Sequence, residues 1–96
     1  MTSNVTNMSN MFNKCYVLTT VDLSEFDTSK VTNMTAMFNR CYVIKDLELS
    51  GFDTSRVTNM RSIFQGCYVV ENLDVSGCGK IWKEEHRNTV EREVNQ

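Results

Sequence analysis

Proline is absent from the 96 residues and glycine occurs only four times, so no stretch reads as a linker and the chain is one domain at most. Basic residues are not in surplus. Ten Lys and Arg face twelve Asp and Glu, a formal net charge of -2, whereas nucleic-acid binders carry a basic excess on one face. No nucleic-acid partner is therefore expected. No window approaches the roughly 18 apolar residues of a membrane span, and the opening MTSNVTNMSN has neither the basic start nor the apolar run of an export signal. Membrane insertion is not expected either. The usual constellations of catalysis are missing too: one histidine, His86, no nucleophile beside a base, no glycine-rich phosphate loop, no Cys-x-x-Cys. No enzyme, no cofactor and no metal site is expected.

What the chain does have is a repeat. The stretch FDTSKVTNMTAMFNRCYVIKDLELSGF, residues 26–52, carries Val31, Thr32, Asn33, Met34, Phe38, Cys41, Tyr42, Val43 and Ser50. The same residue types stand 26 positions earlier, from Val5 to Ser24, and 26 positions later, from Val57 to Ser76. A fixed period of this length marks a solenoid whose units bury their apolar sides on one another. Three coils follow: residues 2–26, residues 28–52 preceded by Asp27, and residues 54–78 preceded by Asp53. Met1 stands where the later coils have an aspartate, so the pattern starts in mid-unit, as it would if excised from a longer array. A frayed first coil is the alternative. An apolar fraction of 41% suits a folded chain.

Two periodicities alternate within a coil. Val21 and Leu23, Leu47 and Leu49, Leu73 and Val75 flank Asp22, Glu48 and Asp74, the period of two of a strand with one buried face. Met34, Met37, Phe38 and Cys41 are spaced i, i+3, i+4 and i+7, with matching sets at Met8 and Met60, which predicts a helix of about two turns. Thr32 or Asn33 would cap it. The competing local reading is an extended Val-Thr-Asn-Met segment leading into a single turn. Beyond Gly79 the repeat ends. Residues 80–96, with Trp82, His86, Val90 and Val94 spaced by four, predict an amphipathic helix capping the third coil, the alternative being a polar tail. The domain plan is thus a three-coil repeat over 1–79 and a capping helix or tail over 80–96.

The order Phe-Asp-Thr-Ser, Val-Thr-Asn-Met, Met-Phe, Cys, Leu-x-Leu-Ser resembles the 26-residue repeat of bacterial surface proteins, the BspA-like branch of leucine-rich repeats, across residues 2–78. The resemblance implies an α/β fold, a leucine-rich-repeat-like right-handed solenoid with one short parallel strand and one short helix per coil and a C-terminal helix. It also implies a cell-surface or secreted location and adhesion to proteins or cells. No signal peptide or anchor is expected from these residues. Where the family has Ser-Ser or similar after the cysteine, this chain has Tyr16-Val17, Tyr42-Val43 and Tyr68-Val69, which implies a surface of its own.

Stacking coils turns residues 26 apart into columns. The strand's outward acids, Asp22, Glu48 and Asp74 with Asp46 beside them, form the first-choice binding face: like charges repel when stacked, so a basic partner would relieve them. A solvated face with no partner explains them equally well. The tyrosine column, Tyr16, Tyr42 and Tyr68, offers large rigid area for binding or a ladder shielding coil junctions. Cys15, Cys41 and Cys67 read as buried free thiols, while Cys78, off that column, is expected to be exposed. The Asp-Thr-Ser runs at 27 and 53 and the asparagines Asn7, Asn33 and Asn59 are expected to bond backbone groups in turns. The function these features favour is a non-catalytic protein-interaction or adhesion module with a protein or glycan partner. The alternative is a structural spacer or a repeat unit that self-associates end to end.

Overall fold

The computed structural model describes residues 4–79. The segments 26 residues apart do lie over one another, as three tiers joined edge to edge. At the start of each tier the Thr-Asn-Met segment is extended, and isolated parallel bridges join Asn7 to Asn33 and Asn33 to Asn59. The Thr32 N–H donates to the Thr6 carbonyl at 2.7 Å, and Thr58 repeats the bond to Thr32 at 2.9 Å. Further on, β1 (Asp46–Glu48) and β2 (Asn72–Asp74) form a two-stranded parallel sheet in which Leu47 faces Leu73 and Glu48 faces Asp74. Among the described residues the first tier contributes no strand. It meets β1's neighbourhood through one long bond, Lys45 N–H to Thr19 O at 3.3 Å.

The α/β leucine-rich-repeat-like right-handed solenoid expected from the sequence is not what forms. Among residues 4–78 there is no α-helix, and the regular elements are β1, β2 and one 3-10 turn, Ser76–Cys78. Where each helix was expected, the chain runs through successive four-residue turns. Met11, Asn13 and Cys15 each donate to the carbonyl three residues back, at 3.3, 3.1 and 3.2 Å, while Asn10, Phe12 and Lys14 donate to Thr35, Met37 and Asn39 of the next tier at 2.9, 2.8 and 2.8 Å. The second tier repeats this toward Arg61, Ile63 and Gln65. An α-helix would turn all of these donors inward along its own axis; here every second one leaves the tier.

The turns need left-handed backbone at fixed places. Asn10, Ala36 and Ser62 have φ of 61°, 56° and 58°, and Lys14, Arg40 and Gly66 have φ of 62°, 62° and 86°. Each stands third in a four-residue turn, where type II geometry requires positive φ, and each is incompatible with a right-handed helix. Two consecutive four-residue turns return to the same face about every four residues. That is why Met34, Met37, Phe38 and Cys41 mimic a helical stripe while being presented by turns. The C-terminal helix expected over 80–96 lies outside the described residues.

The core runs through all three tiers. Phe38 stacks between Phe12 and Phe64, with ring centroids 5.3 and 5.9 Å away, and Met34, Ile44, Leu47, Leu49, Met60 and Ile63 close around it. The Cys41 and Cys67 thiols are buried and each donates to the carbonyl of the preceding tier's phenylalanine at 3.1 Å. Burial pushes the Cys41 thiol up to about 11, so it stays protonated at neutral pH. Cys78 corrects the expectation of exposure: it is fully buried, and burial raises its pKa to about 11 as well. It occupies the position that Phe26 and Phe52 hold in the earlier tiers, and those side chains point inward.

One polar side chain is buried with them. Thr28 accepts the Asp53 N–H at 2.8 Å and donates to the Asp53 carbonyl at 3.1 Å, tying the second tier to the third. Replacing it by the isosteric Val leaves both Asp53 groups without that partner. The expected loss for Thr28→Val is about 2 kcal/mol, read as a shift in the urea unfolding midpoint at unchanged slope.

Candidate functional site

The tyrosine column is real and lies on the surface. Tyr16 and Tyr42 stack with centroids 5.2 Å apart and planes within 12°, and Tyr42 and Tyr68 with centroids 5.7 Å apart and planes within 7°. The tier turns sharply after each cysteine of the column, of which Cys41 and Cys67 are buried and Cys15, against the sequence expectation, only partly so, and the next two side chains both point outward. Tyr16, Tyr42 and Tyr68 are 48%, 37% and 55% exposed, and Val17, Val43 and Val69 beside them 89%, 38% and 41%. Six aromatic and aliphatic side chains therefore form one stripe across the three tiers. At its first-tier end the stripe opens on a shallow hollow of about 620 Å³ lined by Lys14, Cys15, Tyr16, Val17, Leu18, Thr19 and Thr20. An exposed apolar stripe on so small a protein marks an interaction surface more often than scattered apolar residues do.

The acidic residues are brought together on a separate face. Glu48 and Asp74 are in register across the sheet, Asp46 accepts a bond from the Asn72 amide, and Asp22 lies with Glu48 along a groove that includes Ser24, Ser50 and Phe52. Their carboxylates already have work in the turns. Asp22 receives the Ser24 hydroxyl at 2.6 Å and its N–H at 3.0 Å, Glu48 receives the Ser50 hydroxyl at 3.2 Å, and Asp74 receives the Ser76 N–H at 2.9 Å. At Asp22 and Asp74 these bonds favour the ionised form. The Ser24 hydroxyl, then its N–H, holds Asp22 below the ordinary 3.8, and Ser76 does the same for Asp74. No cluster of three or more His, Cys, Asp or Glu able to hold a metal occurs among the described residues.

Turn bonding of the same kind explains the other conserved-looking positions within the repeat. Asn7, Asn33 and Asn59 accept the N–H two residues on, at 2.8, 2.9 and 2.9 Å. Asp27 and Asp53 do so for Ser29 and Ser55, as the sequence suggested. The side chains the sequence reading left out of the site are Val17, Val43 and Val69. Their signal was the unbroken Tyr-Val pairing, which neither a strand nor a helix stripe accounts for.

No curated protein and no solved structure matches the chain. The model of one family does, the family described as "Mycoplasma protein of unknown function, DUF285", over residues 1–92, and the chain belongs to that family.

Proposed function

We propose that the protein is a non-catalytic interaction module of a bacterial surface-type repeat protein, and that the Tyr-Val stripe is its main contact surface. The observation that carries this reading is the exposure of six apolar side chains in register across three tiers, held rigid by ring stacking and by bonds between the tiers. Stacked tyrosines offer contact area with little rotamer freedom left to lose on binding. The resemblance of residues 2–78 to the BspA-like repeat supports adhesion as the biological setting and a protein or glycan as the partner. The acidic face, Asp22, Asp46, Glu48 and Asp74, ranks second because its carboxylates are engaged by serine and asparagine donors.

The test sets one face against the other. Val17→Asp combined with Val43→Asp is expected to abolish capture of host-surface proteins by the immobilised chain, while Asp22→Asn combined with Glu48→Gln leaves it intact, both variants keeping the wild-type circular dichroism. Capture lost only with the acidic-face variant would overturn the assignment. Self-association is favoured by one further observation. Val5, Phe12, Leu18 and Val21 of the first tier are only partly buried, whereas Val31, Phe38, Ile44 and Leu47 beneath them are fully so. Light scattering that shows growing mass with concentration would move the reading to an assembling unit.

A further inference from the structure

We infer that the tyrosine stack is a site of oxidative cross-linking, at which neighbouring tiers are joined through a tyrosine–tyrosine carbon bond. Three features meet there. The rings are neighbours at 5.2 and 5.7 Å and nearly parallel. They are accessible, each at least 37% exposed, so an oxidant reaches them. And their backbones are fixed in register by the bonds between tiers, for example Arg40 N–H to Gln65 O and Cys67 Sγ–H to Phe38 O, which makes coupling an encounter between groups already held together.

The chemistry requires a one-electron oxidant of the peroxidase type with hydrogen peroxide as terminal acceptor. It removes one electron from each of two adjacent phenols, and each phenol releases its hydroxyl proton. The two phenoxyl radicals form a carbon–carbon bond between the ring positions ortho to oxygen. Each coupled carbon then gives up its hydrogen as a proton and the phenolic oxygen takes one up, which restores two hydroxyls on a biphenol. The protein loses two hydrogens in all, and one peroxide becomes two waters. Tyr42 is the shared member, able to join Tyr16 on one side or Tyr68 on the other. Either link closes a loop of one repeat and fastens two tiers covalently.

The experiment treats the full chain, in dilute solution, with a peroxidase and hydrogen peroxide. The expected product is a monomer lighter by two hydrogens, with biphenol fluorescence, with Tyr42 joined to Tyr16 or Tyr68 in its peptide map, and in a yield unchanged on dilution. Tyr42→Phe keeps the ring and the fold but removes the phenol, and is expected to lower the monomeric cross-link roughly tenfold or more. Tyr16→Phe keeps the Tyr42–Tyr68 link. Cross-linked dimers alone, in a yield that falls on dilution, would overturn the inference. So would a monomeric link formed in Tyr42→Phe at the wild-type yield. Neither result bears on capture by the Tyr-Val stripe, which is measured without oxidant.

Discussion

Phe38→Ala is expected to lower stability by about 4 kcal/mol, enough to unfold the chain in mild denaturant. A domain has only about 5–15 kcal/mol to lose. Phe38 is fully buried, with Phe12 stacked on one face and Phe64 on the other. Its backbone also ties the second tier to the third: the N–H donates to Ile63 O and the carbonyl accepts the Cys67 thiol. Those bonds hold the surrounding turns in place, so the walls of an emptied ring site have little freedom to collapse, and residual cavity is what sets the cost of such substitutions. Phe12 is only partly buried, and Phe12→Ala should cost clearly less. Urea unfolding of the two variants side by side checks the order. Equal losses would mean that the first and second tiers are not packed as described.

Gly77→Ala is expected to cost about 3 kcal/mol through overpacking, although it adds one methyl group. A Cβ there would lie 2.6 Å from the carbonyl oxygens of Leu49 and Ser50 and 2.8 Å from that of Phe52. All three obstacles are backbone, and the Leu49 carbonyl is further tied to the Phe52 N–H at 3.0 Å, so no side chain can swing aside. Gly51 occupies the same repeat position one tier earlier, and a Cβ there meets nothing within 4 Å. Gly51→Ala should therefore stay within about 0.5 kcal/mol of wild type. The pair isolates the effect of close approach, because both substitutions change the unfolded chain in the same way. Thermal unfolding in which both variants behave alike would remove the close approach of the Ser76–Cys78 turn to the second tier.

The register was legible in the sequence because identical side chains recur at identical intervals, and the stacking of Phe12, Phe38 and Phe64 follows from it. The turns that replace the expected helix were not legible. Spacings of three, four and seven describe which side chains share a face, and two successive four-residue turns satisfy them as well as a helix does. What separates the two is backbone sign at Asn10, Lys14, Ala36, Arg40, Ser62 and Gly66. Of these, Lys, Arg, Ala and Ser announce nothing, whereas Gly66 and, more weakly, Asn10 do. All four Asx turns formed by aspartate carry an Asp-x-Ser signature, at 22, 27, 53 and 74, and at Asp22 and Asp74 it marks those carboxylates as engaged. Cys78 misled because its column was read by residue type. Its neighbours along the stack, Phe26 and Phe52, were the better guide.

Because alternate amides cross from one tier to the next, the number of residues in each tier is constrained more tightly than their identity. A single inserted or deleted residue between Asn33 and Arg40 would exchange the amides that bond inward with those that bond across, and would move the left-handed positions onto the wrong partners along the rest of that edge. Side chains on the outside are free to drift; the length of the repeat is not. A lineage of such chains would thus diversify its surface by substitution and change its reach by gaining or losing whole units.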